Sequence, residues 1–175
     1  MTKLEIKLLS ENATKPKRAD DASAGYDIYA SEDVLIEPQD KTLVSTDLAV
    51  NIPKGYVGLL TSRSGVSSKT HLVVETGKID AGFQGHMKIN IKNDEQHFRT
   101  TNIQDLDLNG EMIAQYINDR DTKPFEFNKR YQINKGDRLA QLVIVPIYTP
   151  ELEPVKEFSE KSERGEKGFG STGYL

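Results

Sequence analysis

Asp80 stands in Gly77-Lys78-Ile79-Asp80-Ala81-Gly82, with Phe83-Gln84-Gly85 directly after it. A carboxylate in a tight, glycine-permitted turn has two uses. It caps the backbone around it, or it orients a water molecule beside a bound group and takes its proton. A second set, Arg63-Ser64-Gly65, joins a guanidinium and a turn-forming glycine to the hydroxyls of Ser62 and Ser64. Such groups bind anions, though a serine there also suits the start of a helix. Ala24-Gly25-Tyr26-Asp27 places an aspartate at the mouth of a short apolar stretch, and Gly136-Asp137-Arg138-Leu139-Ala140-Gln141 carries Arg138 and Gln141 into a continuous apolar run. Polar groups entering a buried strand need partners, so these are structural ties or site residues. The last set is Arg164-Gly165, then Gly168-Phe169-Gly170-Ser171-Thr172-Gly173. An arginine, two hydroxyls and a flat ring among glycines suit an arm that orders around an anion and a base, or a plain polar tail. A Walker-type phosphate loop is excluded, because no glycine-lysine-serine or glycine-lysine-threonine run occurs.

Around these sets the chain alternates with period two. Leu4, Ile6 and Leu8 share a face in residues 3–9. Further short strands are predicted around Ile28 and Ala30, Val34 and Ile36, Leu43 and Val44, Leu48 to Ile52, and residues 56–60, with a turn at Pro53-Lys54-Gly55. Leu72 and Val74 precede the Asp80 stretch and Met87, Ile89 and Ile91 follow it, so that stretch reads as the turn between two strands. Short strands at regular spacing predict an all-β sandwich or barrel. The 87–92 strand is expected to pair with 125–127 and 131–133, which resume the alternation. Residues 93–124 interrupt that hairpin, whose connection is normally about 2–5 residues.

The interrupting segment carries seven acids and three bases. With Asn109 as a cap, Met112/Ile113 and Tyr116/Ile117 form an apolar stripe that predicts one short helix, packed on the parent domain or on a partner. Pro150, Pro154 and many charges mark 149–163 as a linker-like arm. The expected division is a β domain over 1–148, with the insert 93–124, and a C-terminal arm over 149–175.

The 175 residues suggest one domain, and only 36% are hydrophobic, a share that predicts a modest core supplemented by assembly or extended arms. A net charge of −4 argues against a duplex nucleic-acid binder. The chain has no cysteine, which excludes disulfides, thiolate metal sites and cysteine nucleophiles. His71, His86 and His97 share no metal-ligand spacing. The first residues alternate charged and apolar types, and no apolar run approaches a membrane span, so a soluble intracellular protein is expected.

In order and content, the five sets resemble the trimeric dUTPase family, over nearly all of the chain except 93–124. The resemblance implies a jelly-roll-like fold and a homotrimer with exchanged C-terminal arms. It also implies Mg²⁺-dependent hydrolysis of dUTP to dUMP and pyrophosphate by water attack on the α-phosphorus. This reaction limits uracil in DNA and supplies dUMP for thymidylate synthesis. By the same resemblance, Asp80 is the general base and Arg164 closes late to stabilise developing charge. Arg63, Ser64 and Gly65 hold the triphosphate, joined by Gly170, Ser171 and Thr172 of the arm. Asp27 and Gln141 hold waters of the Mg²⁺ shell, with Gln141 also near substrate. Gly77 and Ile79 lie in the turn whose backbone matches uracil, Phe83 packs on the deoxyribose, and Phe169 covers the base.

Two departures stand out. Position 83 is Phe where the family most often has Tyr, which removes a phenolic hydrogen bond and keeps the ring. Residues 93–124 have no counterpart in ordinary members. Phage-encoded relatives carry inserts there, some of them regulators that displace a repressor, so a phage origin, a host-cell cytoplasmic location and a repressor-type partner on 93–124 are implied. The alternatives are a zinc-free dCTP deaminase-like enzyme on the same fold and a non-enzymatic regulatory scaffold. No membrane and no nucleic-acid contact are expected.

Overall fold

The computed structural model describes residues 3–118, 126–162 and 165. Twelve strands and one helical turn occur among them: β1 (Glu5–Leu8), β2 (Tyr26–Tyr29), β3 (Val34–Ile36), β4 (Lys41–Asn51), β5 (Tyr56–Ser62), α1 (Ser64–Ser67), β6 (Leu72–Val74), β7 (Gly77–Ile79), β8 (Met87–Asn93), β9 (Ile103–Leu106), β10 (Met112–Tyr116), β11 (Asn128–Ile133) and β12 (Arg138–Pro146). They form three four-stranded sheets, ordered β1-β4-β8-β6, β10-β9-β11-β3 and β2-β12-β5-β7. Every pairing is antiparallel except β9 with β11. The sheets enclose one core, in which Ile28, Val44, Leu48, Ile89, Ile91, Ile133 and Leu139 are wholly buried. This is the expected all-β, jelly-roll-like architecture. No helix of the described residues is long and apolar enough to cross a membrane.

The period-two segments become strands because alternate side chains reach that core. In β8, Met87, Ile89 and Ile91 are buried while Lys88 points out. The two short strands expected at 43–44 and 48–52 are one, β4, bent by a bulge between Ser45 and Leu48. There Thr46 is fully buried and its hydroxyl donates to the Met87 carbonyl, which satisfies the polar atom in an apolar setting. β1 lies at a sheet edge and leaves Leu8 51% exposed, so its predicted inward face is only partly covered within one chain.

Two expectations fail. β8 does not pair with the 125–133 segment; its neighbours are β4 and β6, while β11 joins β9 and β3 in another sheet. The junction is Asn93, fully buried at the end of β8. Its Nδ2 donates to the carbonyls of Ile36 (3.0 Å) and Lys129 (2.9 Å), and its Oδ1 accepts the Glu95 N–H (3.0 Å). One side chain thus ties the end of one sheet to two strands of the next.

The 93–124 segment also contains no helix among its described residues. It holds the β9–β10 hairpin, turning at Asp107-Leu108-Asn109-Gly110. Asp107 organises the turn by accepting the N–H groups of Asn109 (2.8 Å) and Glu111 (2.9 Å). Its carboxyl is partly desolvated, yet those backbone donors hold its pKa below the usual value. Met112, Ile113, Tyr116 and Ile117 are 57%, 56%, 49% and 44% exposed, so the apolar stripe exists on an edge strand. β9 is no appendage. It sits between β10 and β11, and Asp105 receives Arg130 in two-point fashion, from Nε at 2.6 Å and Nη2 at 2.9 Å.

Beyond β12, residues 147–162 form neither helix nor strand, and Tyr148, Leu152 and Phe158 are 89%, 93% and 88% exposed.

Candidate active site

The site grows from Asp27. β2 begins at Tyr26, and register pairs Asp27 with Gln141 of β12, which in turn pairs with Thr61 of β5. Three separated motifs therefore meet on adjacent strands of one sheet. Asp27 is 4% exposed, so its carboxylate needs compensation inside the protein. Arg63 supplies it: Nε donates to Oδ1 at 3.1 Å, and Gln141 Nε2 donates to the same oxygen at 3.3 Å. Arg138 Nη1 lies 3.6 Å from Oδ2. The Asp27 backbone is anchored as well, its N–H donating to the Lys17 carbonyl at 2.7 Å.

Arg63 is the residue before α1, in the capping position that the sequence had offered to a serine, and it makes no side-chain cap. Val66 N–H (2.9 Å) and Ser67 N–H (3.0 Å) both donate to its carbonyl, and Val66 is buried, which fixes the turn on the body. With Nε committed to Asp27, the terminal guanidinium nitrogens have no hydrogen-bond partner among the described residues. Ser64 is exposed beside them and Gly65 half-buried. The Arg63 side chain is only partly exposed, with Nη1 lying over Gly65, yet its forked donors, unpaired among the described residues, and the exposed Ser64 hydroxyl are groups that suit phosphate oxygens.

Asp80 is placed elsewhere. The stretch predicted as one turn contains a strand of its own, β7, which pairs with β5 through Leu60↔Gly77 and Gly58↔Ile79. Ile79 is buried, so only its backbone and that of Gly77 are available to a ligand. Asp80 leaves β7 one residue beyond the Gly58 rung, while Arg63 leaves the other end of β5. Six residues of strand, about 20 Å, separate the two within one chain. Asp80 is exposed, and its carboxylate makes no hydrogen bond or ion pair with a described residue. Its carbonyl accepts the Phe83 N–H at 3.1 Å, closing the turn that presents the carboxylate. Phe83 is 48% exposed and its ring lies over Gly85, where an added Cβ would stand 2.7 Å from the ring. Gly85 thus lets the ring lie flat along the loop, open on its outer side.

Arg164, Phe169, Gly170, Ser171 and Thr172 lie outside the described residues. Among the described residues no group of three or more His, Asp or Glu side chains gathers to hold a metal. Both Asp27 oxygens already face cationic or amide donors, and Gln141 keeps its carbonyl oxygen free of described partners. With two guanidiniums and an amide on a carboxylate that is 4% exposed, Asp27 has no position for a direct metal bond, and only the Gln141 carbonyl oxygen is left for a water of a hydrated cation. The structure therefore brings Asp27, Arg63 and Gln141 together, adds Arg138, and leaves Asp80 and Phe83 apart. The sequence had offered Arg138, like Gln141, as a structural tie or a site residue; its ion pair with Asp27 depends on the pairing of β12 with β2.

A family model described as dUTPase matches residues 11–126 and 104–173. Over 171 residues the chain is 33% identical to the mitochondrial deoxyuridine 5'-triphosphate nucleotidohydrolase of Homo sapiens, across 97% of this chain and 54% of that protein, so it spans about half of the human relative's length. Among solved structures it is similar to a mutant dUTPase of Staphylococcus bacteriophage 80alpha with dUpNHpp, with TM-score 0.88, 54% identity and 99% of each chain covered. That protein is described among phage dUTPases that control transfer of virulence genes by a proto-oncogenic G protein-like mechanism. A mutant dUTPase of phage phi11 of S. aureus, described with a structural Mg(II) ion, gives TM-score 0.78 and 52% identity over 91% of this chain and 100% of that one.

Proposed function

The chain belongs to the dUTPase family, and we propose that it hydrolyses dUTP to dUMP and pyrophosphate. The observation that carries the reading is the meeting of Asp27, Gln141 and Arg63 at one sheet, with the terminal nitrogens of Arg63 unpaired among the described residues and Ser64 exposed next to it in the chain. Arg63 and Ser64 hold the polyphosphate, and Gly65 leaves room for the Arg63 guanidinium lying over it. Asp80 accepts a proton from a water molecule as that oxygen bonds to the α-phosphorus. The bond from the α-phosphorus to the bridging oxygen breaks, and pyrophosphate leaves with the electron pair. Positioning and charge neutralisation supply most of the rate, as in phosphoryl transfer generally. Gln141, with Asp27 behind it, would hold waters of a bound magnesium ion, which would supply charge neutralisation at the phosphates. Gly77 and Ile79 offer backbone groups to uracil. Phe83 packs on the deoxyribose, and Phe169 covers the base. Arg164, with Gly170, Ser171 and Thr172, closes over the phosphates.

The separation of Asp80 from Arg63 supports a site shared between chains, in a homotrimer whose 149–175 arms cross to a neighbour. The exposed Tyr148, Leu152 and Phe158 are the apolar groups such a crossing would cover. A second role rests on a separate observation, the exposed apolar edge of β10. By similarity to the phage relatives, that edge is proposed to meet a regulatory protein of the repressor type. A phage origin and the host cytoplasm follow the same similarity.

The test is pyrophosphate release from each deoxynucleoside triphosphate with Mg²⁺. Release from dUTP alone is expected. Release from dCTP with ammonia, or from none, would overturn the reading.

A further inference from the structure

The turn of the β9–β10 hairpin rests against the chain just past the phosphate motif. Lys69 Nζ donates to Asn109 Oδ1 at 3.1 Å. Gly110 has φ +75°, and a Cβ there would overlap the Lys69 carbonyl oxygen, a backbone atom that cannot swing aside. Leu108 packs against the core beside them. Lys69 is in turn locked to α1: its N–H donates to the Val66 carbonyl at 3.2 Å, and the Thr70 N–H to the same oxygen at 3.0 Å. Val66 and Ser67 donate to Arg63. The path from Gly110 to Arg63 is therefore a few backbone hydrogen bonds around one buried valine.

We propose that the 107–110 turn is a positioning element for the phosphate motif, with Gly110 the residue that sets where Arg63 and Ser64 stand. Gly110 touches no substrate. It fixes the height of the Lys69 carbonyl, and through α1 the aim of the guanidinium held at Asp27. Only glycine combines the left-handed backbone with no side chain at that contact. The inference rests on the reading of Arg63–Gly65 as the polyphosphate motif, and it is independent of any partner on β10.

The experiment measures binding of dUpNHpp and dUMP to the full chain with Gly110→Ala. A displaced phosphate motif weakens dUpNHpp about tenfold, the scale of misplacing a binding group by a fraction of an ångström, and leaves dUMP within about twofold. General loosening would weaken both ligands together and would overturn the proposal, as would unchanged dUpNHpp binding. Gly110→Asn tolerates the backbone conformation and keeps the clash, so it carries the same test if the alanine variant does not fold. Arg63→Ala is the control. If it leaves dUpNHpp binding intact, the phosphate-motif reading itself is wrong. If it weakens binding while the Gly110 variants do not, only the positioning role falls.

Discussion

Complementation between two crippled chains tests the divided site directly. Asp80→Asn removes the proposed general base, an expected loss of roughly a hundredfold or more in turnover, and Arg63→Ala removes the guanidinium proposed to hold the phosphates, an expected loss of similar order. Each variant alone retains about 1% of normal activity. The two residues lie about 20 Å apart along β5, farther than one triphosphate's reacting end can bridge, and the proposed site therefore takes Asp80 from one chain and Arg63 from another. In an equal mixture, a given site receives an intact Asp80 with probability one half and an intact Arg63 with probability one half. About one quarter of sites are then whole, and any closed ring gives the same fraction. Activity of the mixture rises roughly twenty-fivefold over either parent. The assay is pyrophosphate release after the variants are unfolded and refolded together, with separately refolded samples as reference. Activity that stays at the parental level, in assemblies shown to be mixed, would refute the division.

Three further outcomes follow from the geometry. Asn93→Ala strands two carbonyls and one N–H in a buried junction, so a loss of about 3 kcal/mol is expected in denaturant unfolding; a loss below 1 would mean that water or movement repairs the joint. Burial first, then the nearby Glu95 carboxylate, push the Tyr131 phenol up to about 12. With an unfolded value near 10, its contribution of about 2–3 kcal/mol is intact below pH 10 and lost as pH rises through 12; the slope of unfolding free energy against pH should flatten there in Tyr131→Phe. Ile113→Lys with Tyr116→Lys on β10 should leave dUTP turnover unchanged and abolish capture of a repressor-type protein, and a fall in turnover would make β10 part of the catalytic body.

Most strands could be read from the sequence because their alternation is local: Met87, Ile89 and Ile91 share a face in any β arrangement. Which strand lies beside which could not, because β8 and β11 are assigned to different sheets by Asn93, a polar residue whose partners are 57 and 36 positions away. The helix predicted after Asn109 came from a spacing of four between Met112 and Tyr116, which five residues cannot distinguish from a strand. The Asn109-Gly110 pair was the better signal, since that pair favours a hairpin turn. Asp27, Arg63 and Gln141 could each be singled out in the sequence as parts of polar, glycine-containing stretches, but their meeting follows from the β2-β12-β5 strand order, which the sequence does not display. The distance from Arg63 to Asp80 was not, because it depends on the antiparallel course of β7 along β5.

The bond from Arg63 Nε to Asp27 means that, on the proposed reading, the side chain would serve two anions with two different edges of one plane. Its long stem is ordered when the protein folds, so roughly 2 kcal/mol of rotamer freedom is already gone before a nucleotide arrives. A lysine at this position would have the same charge and nearly the same reach, but its single ammonium would have to choose between the buried carboxylate and the incoming phosphate. Whichever it chose, the other would lose its contact with this side chain. At position 63 the shape of the cation therefore matters more than its charge.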